Sequence, residues 1–323
     1  MESRCGTMDE TVAQLGEFGL IDQLTARYPQ GEEVLLGPGD DAAVIRAADG
    51  RVVATTDLLV EGRHFRRDWS SAYDVGRKAA AQNLADVAAM GAHPTALLVG
   101  LAAPPDLPVD WALGLAEGLR DECRRVGASV AGGDVVRGDA VTIAVTALGD
   151  LRGRPAVTRA GARPGDLVAV CGRLGYSAAG LAVLEHGLPE TEYGAYVAAH
   201  RRPDPPYAAG PAAAGLGATA LIDVSDGLLQ DLGHVAHASG VAIVLDRAAL
   251  AVPDAMARLA AECATDPLEW VLTGGEDHAM AATFPAGTAL PADWRVIGRV
   301  AAGEGVTVDG RPWAGSGGWN HFA

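Results

Sequence analysis

Six times along this chain an apolar run closes on an acidic residue set among Gly, Ser, Thr or Asn. The places are Gly39-Asp40-Asp41, Thr55-Thr56-Asp57, Asn83 with Asp86, Gly132-Gly133-Asp134, Asp223-Val224-Ser225-Asp226-Gly227 and Gly274-Gly275-Glu276-Asp277. Singly, each is ordinary: Asp and Ser before a helix act as N-caps, and Asp beside Gly makes turns. Taken together they constrain what the chain can become. If these ends share one edge, several carboxylates crowd together. Two charges about 4 Å apart cost about 4 kcal/mol at an effective dielectric of about 20. Cations would offset that repulsion. A donor set of Asp with Thr or Ser, without Cys, suits Mg²⁺, which commonly bridges a few carboxylates to substrate phosphates.

The apolar pattern places these groups on an alternating scaffold. Val12, Leu15, Phe18, Ile21 and Leu24 recur at helical spacing. The stretch 35–45 reads as a turn entering a strand, and Arg51–Asp57 as the next strand. An Ala-rich helix is predicted over 71–91, closed by Gly91. A strand, a second helix bearing Trp111, Leu115, Leu119 and Cys123 on one face, and two further strands follow. The Arg-, Gly- and Pro-rich stretch 151–166 then marks a domain boundary. Beyond it come a strand, a Gly turn into a helix, a Pro-rich connection, strand–acidic turn–helix, and closing strands. For 323 residues two domains are expected, here 1–152 and 153–323.

Composition excludes several classes. The net charge of −16 disfavours a nucleic-acid surface, which needs clustered Lys and Arg. The chain has a single lysine, Lys78, in mid-helix and followed by Ala, so there is no Walker-type G-x-x-x-x-G-K-[ST] loop. Phosphate charge would then be met by metal ions, Arg and backbone amides, with glycines letting those amides approach. Asp231, His234 and His237 have a zinc-like helical spacing, but no Cys or further acidic ligand stands beside them, so polar helix positions are the preferred reading. The four cysteines form no C-x-x-C pair, which fits a reducing cytoplasm. No apolar leader and no membrane-spanning run is evident, so no membrane partner is expected.

In their order, "GPGDDAAV", "TTDLLVEGRHF", "AAQNLADVAAMGAHP", "AGGDVVRG", "TRAGARPGDLVAVCGRLGYSAAGL", "IDVSDGLLQDLGH" and "TGGEDH" resemble the thiamine-monophosphate kinase family, within the aminoimidazole ribonucleotide synthetase-related superfamily. The resemblance runs roughly from Gly16 to Phe322. The T-D-x-L-V-E-G-x-H-F stretch selects the kinases; Thr55 stands where the family commonly has Ser and keeps a hydroxyl.

The resemblance implies an α+β fold of two domains. The first is an N-terminal α/β domain whose sheet pairs with a second subunit, giving a homodimer; the second is a C-terminal α/β domain. It implies transfer of the ATP γ-phosphoryl group to thiamine monophosphate, giving thiamine diphosphate. Asp41, Thr55, Thr56, Asp57, Asp86, Asp134, Asp223 and Asp226 would hold several Mg²⁺ ions. Gly133, Asp134, Arg159 and Ser225 would contact ATP. His64 and Glu276 would contact the thiamine phosphate, and Trp319, with Trp313 as the alternative, the thiamine ring. A phosphate acceptor is largely deprotonated near neutral pH, so no general base is expected. Arg63 and Arg66 are open between phosphate binding and solvated surface. ATP-dependent amidine cyclisation, another reaction of the superfamily, and a nucleotide-binding protein without catalysis are the competing readings.

Overall fold

The computed structural model describes residues 10–39, 42–315 and 318. The chain forms two compact units, neither continuous in sequence. One is built on the chain up to Arg46 with Ala54–Ala80 and Thr95–Leu148, the other on Ala47–Val53, Ala81–Pro94 and the chain from Gly149 onward.

The first unit opens with α1 (Val12–Leu15) and α2 (Glu17–Thr25). The apolar spacing is helical throughout, but Gly16 at φ 78° breaks it into two helices. A two-stranded ribbon, β1 (Val34–Leu36) with β2 (Val44–Ile45), follows. Then come β3 (Val53–Val60), α3 (Ala72–Ala89), β4 (His93–Ala103), α4 (Val109–Arg124), β5 (Ser129–Arg137) and β6 (Thr142–Asp150). The four-stranded sheet has the order β3-β6-β4-β5, with β4 and β5 parallel.

Alternation gives this sheet two different faces. Leu59, Leu97, Leu101, Val130, Ile143 and Val145 are buried on one. Helix α2 packs with α4 there, its Leu20 and Leu24 meeting Ala112 and Ala116 beside Val135. Helices α3 and α4 cross at glycines: a Cβ on Gly118 would lie 2.2 Å from the Tyr73 carbonyl oxygen, and one on Gly76 2.1 Å from that of Leu115. This contact lets buried Glu122 of α4 pair with Arg77 of α3 as well as with Arg125, 2.7 Å away. The opposite face of the sheet is open. Leu58, Leu98 and Val136 are 53%, 36% and 51% exposed on it.

The second unit carries a six-stranded sheet. Its strands are β7 (Leu167–Cys171), β8 (Ala220–Val224), β9 (Ala242–Leu245), β10 (Ala279–Phe284), β11 (Trp294–Ala301) and β12 (Gly305–Val308). The order is β12-β9-β11-β7-β10-β8, antiparallel except between β12 and β9. Helices α5 (Tyr176–His186), α6 (Glu190–Arg201), α7 (Ala209–Gly215), α8 (Leu228–Ser239), α9 (Asp254–Glu262) and α10 (Pro267–Thr273) complete it. Its core joins Val168 and Val170 of β7, Ile222 of β8 and Ile243 of β9 to Leu228 and Leu232 of α8. At about 25 cal/mol per Å², each such fully buried aliphatic side chain contributes about 2 kcal/mol. Strand β8 lies at a sheet edge, and its last residues deliver the acidic turn that enters α8.

Candidate functional site

In the first unit the residues of Thr55-Thr56-Asp57 do not act as one cluster. Strand alternation puts Thr55 and Asp57 on the face of buried Leu59, and Thr56 on the open face with Leu58. The Thr56 hydroxyl donates to the Val145 carbonyl at 3.0 Å and accepts from the Thr146 hydroxyl at 3.2 Å. Asp134 lies on the opposite edge strand, sharing the open face with Val136, and accepts the Val135 amide at 2.9 Å. Three strand spacings separate β3 from β5, about 14 Å, so Thr56 and Asp134 of one chain do not share an ion across this sheet. Gly133 is dictated by strand pairing: its Cβ would lie 1.9 Å from the Val99 carbonyl oxygen.

His64 sits in a pinned loop. Gly62, at φ 80°, turns the chain, and its amide donates to the Phe65 carbonyl at 2.8 Å. Phe65 is buried and stacks on Trp111. The Val60 amide donates to His64 Nδ1 at 3.0 Å. An acceptor Nδ1 carries no proton, so His64 is a neutral imidazole protonated on Nε2. The lone lysine holds the loop from beneath: Lys78, only 3% exposed, donates to the His64 carbonyl at 3.2 Å. Arg66 pairs with Asp68 at 2.5 Å and lies over the Trp69 ring, and Arg67 pairs with Glu61 at 2.6 Å. Arg66 is thus engaged in surface pairs.

In the second unit two Gly-acid turns pack backbone against backbone. The Glu276 amide donates to the Ser225 carbonyl at 2.7 Å, and the His278 amide to the Val224 carbonyl at 2.9 Å. A Cβ on Gly275 would lie 2.3 Å from the Ser225 carbonyl oxygen, and one on Gly227 2.6 Å from that of Thr273. Glu276 and His278 both adopt positive φ, 63° and 52°, a left-handed geometry that costs a non-glycine residue about 1 kcal/mol or more.

Around this junction the acids converge. Asp223, buried at the end of β8, accepts from His278 Nδ1 at 3.0 Å. Burial pulls the His278 imidazolium down; the Asp223 hydrogen bond and charge, with the charges of Asp86 and Glu276, outweigh it and hold His278 above its ordinary range. Asp231, in the first turn of α8, accepts the Asp226 and Gly227 amides at 3.1 Å each. Burial, then the charge of Asp223 and that of Asp226, push its carboxyl up to about 7. Asp231 is therefore tied to the acidic turn itself and not to His234 and His237. Arg159 is exposed, its carbonyl held by the Ser239 hydroxyl at 3.1 Å, one residue beyond the Thr158 carbonyl that accepts the Leu221 amide. Asp41 and Trp319 lie outside the described residues.

The donor set fits Mg²⁺. It is made of oxygens, and behind burial, the main cause, the charges of Asp223 and Asp226 also push the Asp231 carboxyl up. Among the described residues no three His, Cys, Asp or Glu side chains form a ready metal-binding group. Mg²⁺ does not require one, because it keeps waters and takes one or two carboxylates with substrate phosphates.

The sequence reading gives His278 no role, weighs Asp231 only beside His234 and His237, and names Asp277 only within the Gly274–Asp277 turn. Asp277, 8% exposed, accepts the Gly175 and Ser177 amides at 2.5 and 2.8 Å and so caps α5. Its position beside Glu276 was the available signal.

The chain matches two family models: AIR synthase related protein, N-terminal domain, over residues 39–151, and its C-terminal domain over 163–311. It is 51% identical to the thiamine-monophosphate kinase of Mycobacterium tuberculosis over 318 residues, 98% of this chain and 94% of that one. Among solved structures it is similar to the thiamine-monophosphate kinase of Stenotrophomonas maltophilia, with a TM-score of 0.81 and 34% identity, covering 90% of this chain and 96% of that one. It is also similar to AaThiL complexed with AMPPCP and TMP, with a TM-score of 0.80 and 34% identity, over 99% of this chain and 100% of that one.

Burial raises the Asp277 carboxyl to about 7, against the two amides that lower it. A folded-state value above the unfolded one, about 4, means the folded state holds a proton the unfolded chain has released. Stability from this group is therefore full below about pH 4 and is lost as pH rises towards 7. Melting of the wild type and Asp277→Asn in parallel from pH 4.5 to 8 should show the wild type losing ground to the variant up to about pH 7 and then levelling. A constant difference across that range would contradict it.

Proposed function

The chain belongs to the thiamine-monophosphate kinases of the AIR synthase related family, and on that footing we propose which of its residues carry the reaction. The enzyme transfers the γ-phosphoryl group of ATP to the phosphate of thiamine monophosphate, forming thiamine diphosphate for thiamine diphosphate biosynthesis. It is a phosphotransferase with a phosphate acceptor. The observation that carries the assignment of roles is the split of functional groups: acidic turns at strand ends, and a neutral His64 donor in the loop after β3.

The acceptor phosphate needs no base, since its second pKa is near 6. None is proposed here: the Val60 amide donates to His64 Nδ1, and His278 donates to Asp223. What the residues supply is placement. His64, donating from Nε2, and Glu276 are the residues proposed to contact the thiamine phosphate. Arg159, Ser225 and the backbone at Gly133 and Asp134 take ATP. Asp41, Thr55, Thr56, Asp57, Asp86, Asp134, Asp223 and Asp226 are the ligands proposed for several Mg²⁺ ions. Bound there, Mg²⁺ supplies charge neutralisation for phosphates that would otherwise repel both one another and the carboxylates. Trp319 is proposed against the thiamine ring, with Trp313 as its alternative.

The open face of the first unit's sheet supports a homodimer. Leu58, Leu98 and Val136 lie exposed on it, where a second copy of the same face would cover them. Light scattering on the purified protein should give about twice the chain mass; a monomer at micromolar concentration would sink the dimer. The buried thiols of Cys123 and Cys171, free in the structure, favour the cytoplasm, and no described helix is long and apolar enough to cross a membrane. Cell fractionation should find the protein in the cytosol; recovery elsewhere would contradict that location.

The function is tested by chromatography of products from ATP, Mg²⁺ and either thiamine monophosphate or thiamine. Thiamine diphosphate is expected from the monophosphate alone. Asp57→Asn should abolish turnover while leaving folding intact or slightly improved, because one repelling charge is removed. An unfolded variant, or one with full rate, would overturn the assignment of Asp57.

A further inference from the structure

Glu276 does not hold its carboxylate in place alone. Its backbone is at φ 63°, and its side chain is 34% exposed, so a flexible carboxylate at this position would sample many orientations. Two buried residues from other elements meet it. The Ser177 hydroxyl, in the first turn of α5, lies 3.4 Å from Glu276 Oε2. His200 Nδ1, near the end of α6, lies 3.1 Å from the same hydroxyl and 3.6 Å from Glu276 Oε2. Ser177 is 1% exposed and His200 7%.

Donor counting orders the chain of bonds. A carboxylate only accepts, so where the single Ser177 hydroxyl proton points to Glu276 Oε2, the serine oxygen is left to accept. Its remaining neighbour is His200 Nδ1. In that arrangement His200 Nδ1 carries the proton and donates to Ser177 Oγ. The relay runs from His200 Nδ1–H to Ser177 Oγ–H to Glu276 Oε2.

The relay is built by a glycine. A Cβ on Gly180 would lie 2.1 Å from the Tyr196 carbonyl oxygen and 2.9 Å from the His200 Cβ. Only a residue without a side chain lets α5 and α6 come this close. Gly180 stands one turn after Ser177, and His200 one turn after Tyr196, so the close approach brings the two polar groups together. Asp277 fixes the other side, holding the Ser177 amide at 2.8 Å. Consecutive acids thus clasp the first turn of α5, Asp277 through backbone amides and Glu276 through a side-chain relay.

We infer that Ser177 and His200 are positioning residues that orient the Glu276 carboxylate towards the acceptor. The inference rests on the reading that Glu276 meets thiamine monophosphate. The test compares Ser177→Ala, His200→Leu and His200→Asn with the wild type in steady-state kinetics. Ser177→Ala keeps the backbone amide that Asp277 holds, so α5 stays capped. In Ser177→Ala and His200→Leu, KM for thiamine monophosphate should rise about ten-fold, the loss of one hydrogen bond to a charged group. KM for ATP should stay within about two-fold. Asn, which can place an N–H near the position of Nδ1, should restore most of the acceptor affinity. Wild-type KM for thiamine monophosphate in folded Ser177→Ala overturns the inference, as does an equal rise in KM for both substrates. A second readout stands apart from activity. Nitrogen NMR of the wild-type His200 ring should show Nδ1 protonated, with a shift on Glu276→Gln. An unprotonated Nδ1 overturns the relay even if the variants fail to fold. A wild type without thiamine monophosphate kinase activity would instead sink the functional reading while leaving the NMR result to judge the relay.

Discussion

Carboxylates held within reach of one another set the terms for this molecule. Asp223, Asp226 and Asp231 occupy one turn and the helix it enters, and Asp86 and Glu276 act on the same His278. The protein answers part of that repulsion with its own groups. His278 donates to Asp223, and the Asp226 and Gly227 amides donate to Asp231. What those groups leave over suits divalent cations and, with them, phosphates. Carboxylates crowded in this way would repel phosphates unless cations stood between them.

Glycine makes the crowding possible in space. At Gly227 and Gly275 a side chain would strike backbone, so the acidic turns after β8 and before β10 can meet only as they are. The same device recurs away from the acids, at Gly76 and Gly118 between α3 and α4, and at Gly180 between α5 and α6. With few aromatic residues to fill gaps, the chain brings its helices to backbone contact. Charged or polar partners then become reachable across the contact: Arg77 with Glu122, and Ser177 with His200.

Much of this was legible beforehand. The first unit's strands and long helices follow their periodicity, and the acidic turns after β8 and before β10 stand where apolar runs end. Helix α6 does not declare itself in the sequence, although Tyr193, Tyr196, Val197 and His200, all buried, recur at i, i+3, i+4 and i+7. The surrounding Gly, Pro and Arg, and the non-helical Tyr193, masked it. Helix α9 shows the same spacing in Met256, Leu259 and Ala260, but over too short a span to declare itself. Strand alternation turns Thr56 to the other face from Thr55 and Asp57, a difference that the motif as a string of letters does not show. The tautomer of His64 and the relay to Glu276 depend on tertiary contacts, and no spacing in the sequence encodes them.

The central claim is that the acidic turns are cation sites completed by nucleotide. Mn²⁺ can be counted directly by electron paramagnetic resonance, titrated into the protein with and without a non-hydrolysable ATP analogue. The account predicts more than one tightly held Mn²⁺ per chain with the analogue, fewer without it, and a loss in Asp223→Asn. A single ion or none with the analogue, or a count indifferent to Asp223→Asn, would contradict it.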